Sequence, residues 1–124
     1  MNTVKTVLIV DDSRISRMFI REFILAREPD WKILEAASGG EAIKAVRESA
    51  PDFVTMDLNM EGMSGFEAIE KILELTPQTR IAVLTANIQD TVRRRAETMG
   101  VLFAIKPITE AVVHQAVDYF NRTS

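Results

Sequence analysis

Short apolar runs recur five times along this chain, each followed by a helical pattern, and that alternation restricts the fold more than any other feature. The first run is Val7-Leu8-Ile9-Val10. Four consecutive apolar residues, mostly β-branched, predict a strand buried on both faces. Phe53 to Met56, Ile81 to Leu84 and Val101 to Ile105 repeat the pattern. Trp31 to Ala36 is a weaker, partly alternating version, which predicts a strand nearer an edge. Between the runs lie helix signals. Ser13 predicts an N-cap, and Ile15, Met18, Phe19, Phe23 and Ile24 recur behind it at helical spacing, before Pro29-Asp30 breaks the helix. Ser38-Gly39-Gly40-Glu41 and Ser64-Gly65-Phe66-Glu67 fit the capping-box pattern. Ala42, Ile43 and Val46 form the apolar face of one helix, which runs to about Ser49; Phe66, Ile69, Ile72 and Leu73 form that of the next, which ends by Pro77. A polar helix from about Gln89 to Met99 is closed by Gly100. Thr109 caps the last, with Val112, Val113, Ala116, Val117 and Phe120 on its buried side.

Five strand–helix units in 124 residues imply an α/β fold, a doubly wound parallel sheet with helices on both faces. Right-handed crossovers leave few topologies. The length fits one domain spanning 1–124, with no linker and no room for an output domain. The chain has no cysteine and one histidine, His114, so disulfides, Cys-ligated zinc, iron–sulfur clusters and His-rich metal sites are excluded. A net charge of −3, from 15 basic and 18 acidic residues, argues against direct nucleic-acid binding. No apolar run reaches the roughly 18 residues that a bilayer requires. The N-terminus lacks the pattern of a signal peptide. The expectation is a cytoplasmic domain with no membrane segment.

In a parallel sheet the C-terminal strand ends share one edge, where ligands of open α/β sheets bind. Here the residues just past those ends are Asp11 and Asp12, Asp57, Thr85 and Lys106. Three carboxylates so close repel one another, and one protonates unless a cation is present. Hard oxygen ligands suit Mg²⁺, which takes one or two carboxylates plus waters and phosphate oxygens. With an ammonium and a hydroxyl opposite, the crevice is built to hold a phosphoryl group by positioning and charge neutralisation. One carboxylate could be the nucleophile. The chain has neither a G-x-x-x-x-G-K-[ST] loop nor G-x-G-x-x-G after the first strand, so ATP or a dinucleotide as direct substrate is not expected.

Val10-Asp11-Asp12-Ser13, Met56-Asp57-Leu58-Asn59-Met60, Gly62-Met63-Ser64-Gly65, Leu84-Thr85-Ala86 and Lys106-Pro107 together resemble the CheY-like receiver domain of two-component response regulators. The resemblance covers essentially the whole chain. It implies a flavodoxin-like (βα)5 fold with strand order 2-1-3-4-5. It implies that Asp57 accepts a phosphoryl group from the phosphohistidine of a sensor histidine kinase or phosphotransfer protein. Asp12 resembles the direct Mg²⁺ ligand and Asp11 its partner, with Asp57 and the backbone carbonyl of Asn59 completing the metal site. Lys106 resembles the lysine that pairs with the phosphoryl oxygens, and Thr85 the hydroxyl that swings toward them. Phe103 stands at the aromatic switch position, and the Lys106–Pro107 bond is expected cis. The resemblance further implies an output protein, unnamed by the sequence, on the face built from the fourth helix, fifth strand and fifth helix. A signalling switch of this kind acts as an enzyme only on itself. A monomer is expected, with dimerisation through the last face as the alternative.

Two positions modulate this reading. Glu61 stands where many relatives carry proline, adding a negative charge beside the acidic pocket. Asn87, two residues past Thr85, flanks the in-line water path with Asn59 and should tune phosphoryl lifetime. Other conspicuous residues have plainer readings. His114 reads as surface or packing, Met60 and Met63 as loop packing, and Trp31 as an anchor of the edge strand. Arg93-Arg94-Arg95 reads as a solvated helix face, with an acidic partner as the alternative. The alternatives to a phosphorylated switch are a pseudo-receiver that binds partners constitutively, an intermediate carrier in a phosphorelay, and a flavin carrier. The last is opposed by Asp11-Asp12, which would repel a flavin phosphate.

Overall fold

Side chains of a strand alternate between its two faces, and here that alternation splits the core into two layers. In β1 (Thr6–Val10), Leu8 and Val10 point to one layer while Val7 and Ile9 point to the other. A computed structural model describes residues 4–122. The remaining strands are β2 (Lys32–Ala36), β3 (Phe53–Met56), β4 (Arg80–Thr85) and β5 (Leu102–Ile105). The helices are α1 (Arg14–Arg27), α2 (Gly39–Ser49), α3 (Gly65–Leu75), α4 (Asp90–Thr98) and α5 (Glu110–Asn121). All strand pairs are parallel, in the order β2-β1-β3-β4-β5. The expected doubly wound α/β architecture and strand order are both present. β2 is an edge strand, as its weaker pattern predicts, and Trp31 beside it is buried with its ring 5.2 Å from that of Phe53.

One layer joins Leu8, Val10, Val54, Met56, Ile81 and Val83 to Ala42 and Val46 of α2, Phe66, Ile69 and Ile72 of α3, and Ala96 of α4. The other joins Val7, Ile9, Phe53, Ala82 and Leu84 to Ile20 and Ile24 of α1 and Val113, Val117 and Phe120 of α5. Each fully buried aliphatic side chain contributes about 1.5–3 kcal/mol of transfer free energy. The predicted caps form. Ser13, Ser38, Ser64 and Thr109 accept hydrogen bonds from the backbone N–H of Ser16, Glu41, Glu67 and Val112, respectively. In the first capping box, the Glu41 carboxylate accepts from the N–H of Ala37 rather than that of Ser38.

The apolar face expected for α1 needs correction. Ile20 and Ile24 are its buried residues, whereas Ile15, Met18 and Phe19 are exposed and Phe23 is half-buried. The reason lies at the start of the helix. Ser16 and Arg17, four and three residues before Ile20, share its side of the helix and are half-buried, and Arg17 reaches the acidic sheet edge. The Arg17 guanidinium donates to the Asp11 carbonyl at 2.6 Å and pairs with Glu35 at 2.9 Å. Polar groups hold the inward positions there, and the apolar residues beside them are turned to solvent.

Candidate functional site

β1, β3, β4 and β5 all end at the same edge, and the residues at or just past their ends form the site. Asp11 follows β1, and its N–H donates to the carbonyl of Ala36 at the end of β2 at 3.1 Å. Asp57 follows β3, with its N–H on the carbonyl of Val10 at 3.0 Å. The ladder thus extends one step past the strands and holds both carboxylates in register. Thr85 is the last residue of β4, and the N–H of Lys106 donates to its carbonyl at 2.8 Å.

Asp11, Asp12 and Asp57 each offer a carboxylate oxygen within 4.8 Å of the others. Asp11 and Asp57 are buried; Asp12 is exposed. The Lys106 ammonium lies 2.9 Å from Asp11 Oδ2 and 3.4 Å from Asp57 Oδ2. The other oxygens are tied to the backbone. Asp11 Oδ1 accepts from the N–H of Ser13 at 2.8 Å, and Asp57 Oδ1 from that of Asn59 at 3.2 Å. Burial raises the Asp57 carboxyl above the ordinary carboxylate range, and the Asp11 charge adds to that, against the lowering pull of the Asn59 N–H and Lys106. For Lys106, burial works against the charged form, but the hydrogen bond to Asp11 and the Asp57 charge outweigh it, and its pKa is raised. One ammonium therefore does not neutralise three carboxylates. Three clustered hard oxygen donors with excess negative charge suit a small dication, so the residues present fit Mg²⁺.

Thr85 is fully buried, and its Oγ1 accepts from the N–H of Asn87 at 3.2 Å. Asn87 Oδ1 accepts in turn from the N–H of Gln89 at 3.1 Å. Gln89 is the N-cap of α4, and its carbonyl accepts from the N–H groups of Val92 and Arg93, both at 3.1 Å. A continuous chain of hydrogen bonds thus runs from the hydroxyl at the site to the first turn of α4. Phe103, in β5, is half-buried against the α2–α3–α4 core layer. The Lys106–Pro107 peptide bond is cis.

The remaining predicted positions are placed less centrally. Glu61 is exposed in the loop after Asp57, and Met60 and Met63 in that loop are half-buried against the core, as packing residues. His114 is half-buried, with Nδ1 3.9 Å from Glu110. The arginine run is exposed, but two of its members are engaged. The Arg93 guanidinium carbon lies 4.9 Å from the Phe103 ring centroid, and that of Arg95 lies 4.4 Å from Phe66 while pairing with Glu70 at 3.1 Å. Sequence reasoning did not read the supporting roles of two residues. One is Arg17, whose helical spacing hides that it reaches the Asp11 carbonyl. The other is Gly65. A Cβ there would lie 2.5 Å from the Asp57 carbonyl oxygen and 2.7 Å from Leu58 Cα, so only glycine lets α3 begin this close to the Asp57 backbone.

Comparison with known proteins bears on the whole arrangement. The sequence model of the response regulator receiver domain matches residues 7–118. The chain is 34% identical over 120 residues to the chemotaxis protein CheY of Thermotoga maritima, covering 95% of this chain and 98% of that protein. It is 40% identical over 85 residues to the transcriptional regulatory protein LiaR of Bacillus subtilis, covering 68% of this chain but 40% of LiaR. Among solved structures, the receiver domain of AraT, a response regulator from Geobacillus stearothermophilus, superposes with a TM-score of 0.85 at 28% identity, over 95% of this chain and 93% of that one. The chain belongs to the response regulator receiver family and carries its CheY-like, flavodoxin-type fold. Receiver domains are the signalling switches of two-component systems.

Proposed function

We propose that this chain takes a phosphoryl group from the phosphohistidine of a sensor kinase or phosphotransfer protein onto Asp57, and so changes its affinity for an output partner. The observation that carries the reading is the placement of Lys106 between Asp11 and Asp57, at 2.9 and 3.4 Å, beside a carboxylate cluster with excess negative charge. Asp11, Asp12, Asp57 and the Asn59 carbonyl would hold Mg²⁺. That ion, when bound, supplies the positive charge that lets a phosphoryl group approach three carboxylates. The chain's own residues do the rest. An Asp57 oxygen forms the new P–O bond as the P–N bond to imidazole breaks, and the electron pair leaves on the imidazole nitrogen, which takes up a proton. Lys106 neutralises the phosphoryl oxygens as they arrive. Thr85 keeps its hydroxyl proton free to donate, because its oxygen already accepts from Asn87. The aspartyl phosphate carries about two negative charges and strong acceptor oxygens. Thr85 then moves toward it, the Phe103 ring turns inward, and the face of α4, β5 and α5 shifts between two populated states. Asn59 and Asn87 border the route of the hydrolysing water and tune the lifetime of the phosphoryl group, while Glu61, exposed in the loop after Asp57, adds a negative charge that weakens the approach of the phosphodonor.

We read residues 1–124 as one receiver domain that acts as a monomer in the cytoplasm. That these residues cover nearly the whole of Thermotoga CheY supports the single-domain span. Among the described residues, no helix is long and apolar enough to cross a membrane. The test is incubation with acetyl phosphate and Mg²⁺, followed by phosphate-affinity electrophoresis. A retarded band is expected, lost with EDTA and absent in Asp57→Asn. A band that persists in Asp57→Asn overturns the assigned acceptor.

A further inference from the structure

Three consecutive arginines on α4 are in three different situations. Arg95 pairs with Glu70 at 3.1 Å and lies on Phe66, so it belongs to the packing of α4 on α3. Arg93 is exposed and, among the described residues, forms no ion pair; its guanidinium carbon sits 4.9 Å from the Phe103 ring centroid, within cation–π range. Arg94 is exposed and forms neither an ion pair nor an aromatic contact among the described residues. Asp90 and Glu97 flank the run at helical spacing, yet neither pairs with Arg93 or Arg94. The chain's own nearby carboxylates therefore leave both arginines available. Arg93 is also tied to the site by its backbone, through Gln89 and Asn87 to the Thr85 hydroxyl. Its side chain thus touches Phe103, and its backbone is linked through Gln89 and Asn87 to Thr85, the two residues that move in the reading of the preceding subsection.

We propose that Arg93 reads the state of the switch: stacked on Phe103 in the conformation described here, it is released when the ring turns inward, and with Arg94 it then grips an acidic segment of a partner protein. This rests on the assignment of Asp57 and Phe103 made above. Charge complementarity selects the partner. Two adjacent exposed guanidiniums present ten N–H donors and no acceptor, which matches carboxylates and repels basic surfaces. The size of the effect is bounded. An exposed cation–π contact holds Arg93 back by about two- to fivefold in population, so activation can raise affinity by about that factor through this residue.

The test uses the full chain with Mg²⁺, with and without beryllofluoride as the phosphoryl mimic. The probe is a fluorescein-labelled twelve-residue peptide of glutamate and aspartate carrying two leucines, read by anisotropy at low salt. For the wild type, affinity should rise about two- to fivefold on adding beryllofluoride. Arg94→Ala should weaken both states and keep the rise. Arg93→Ala should lose the rise. Phe103→Leu should bind at the activated level without the mimic, because the arginine has no ring to rest on. By NMR, the Arg93 Nε–H resonance should lose its ring-current shift when beryllofluoride is added. A rise retained in Arg93→Ala, an Arg93 resonance that does not move, or a wild type that ignores the peptide in both states overturns the proposal. So does self-association of the activated chain in place of peptide binding, which would make a second copy the occupant. Phosphate-affinity electrophoresis of the wild type separates the two levels. No phosphorylation of Asp57 removes the underlying reading and this proposal with it, whereas phosphorylation without the affinity rise removes this proposal alone.

Discussion

Replacing Lys106 by alanine should destabilise the chain by an amount that grows with pH. The ammonium lies 2.9 Å from Asp11 and 3.4 Å from Asp57. At an effective dielectric of 20, a pair of unit charges at that range attracts by roughly 5 kcal/mol before desolvation is counted. Most of this gross attraction is offset by taking the charges out of water. The alanine variant loses only the cation and keeps two carboxylates that are 1% and 4% exposed. Breaking a buried pair this way costs about 3–5 kcal/mol, and because the Lys106 side chain is 21% exposed the low end applies. For 124 residues, about 3 kcal/mol lowers Tm by about 10 °C. The sign of the pH dependence follows from Asp57. Its folded-state pKa is raised by burial and by Asp11. Stability tied to its protonated form is therefore present below the unfolded pKa and lost as pH rises through the folded pKa. Removing Lys106 takes away a charge that opposes that rise, so the penalty should be larger near pH 8 than near pH 5. Urea unfolding followed by the single tryptophan, Trp31, measures it, since that ring is buried against Phe53. Mg²⁺ should recover part of the loss, and Asp57→Asn on the Lys106→Ala background should recover more. A penalty below about 1 kcal/mol, or one independent of pH, would refute the view that Lys106 holds a charge conflict in check.

The same charges predict that Asp57→Asn without metal raises stability near pH 8, on the order of 1 kcal/mol, and that the gain fades toward acid pH as the wild-type carboxyl protonates; thermal melts across pH check it. For the wild type, Mg²⁺ at ten times its Kd should add about 1.4 kcal/mol, or about 5 °C in Tm, and this gain should shrink as Asp57 protonates. Gly65→Ala should cost about 1–3 kcal/mol and slow phosphorylation by acetyl phosphate, because the new methyl must displace the Asp57–Leu58 backbone. In α1, Ile20→Ala should cost about 2–5 kcal/mol while Phe19→Ser stays within about 0.5 kcal/mol, as urea unfolding would show.

The strands were legible because burial on both faces leaves an unmistakable signal: β1, β3 and β4 admit no polar residue until the sheet edge, except the buried Thr55 and the half-buried Thr6 and Arg80 at their starts. The site was legible for the opposite reason. Asp11, Asp57 and Lys106 are polar residues placed where an apolar run stops, and the topology does the gathering. α1 was not legible in the same way. Ile15, Met18 and Phe19 have helical spacing, but spacing names a stripe without saying which stripe faces the sheet. Arg17 faces the site instead, a consequence of where the helix starts relative to Asp11. Gly65 was hidden because its constraint is a distance to a backbone eight residues earlier. Arg93 was hidden because a charged residue in an exposed run gives no hint that an aromatic ring on another strand lies under it.

A core chosen for stability alone would not bury Asp11 and Asp57 side by side, since apolar residues of similar volume are as stable or more so. The conflict is useful because Lys106 is shared unequally. It lies closer to Asp11 than to Asp57 in the present state. Additional negative charge on Asp57 would draw the ammonium away from Asp11. The N–H of Lys106 is bonded to the carbonyl of Thr85, so a change at one residue is felt by the backbone of the other. From Thr85, the hydrogen bonds through Asn87 and Gln89 lead to α4, while Phe103 lies three residues before Lys106 on β5. A charge added at one strand end therefore reaches the same helix by two routes, one through the β4–α4 connection and one through β5. Severing the first with Asn87→Ala should leave Phe103 responsive to beryllofluoride while the amides of Gln89 to Arg93 respond less. If those amides respond in the variant as in the wild type, the side chain of Asn87 is not the joint, and the β5 route alone carries the signal.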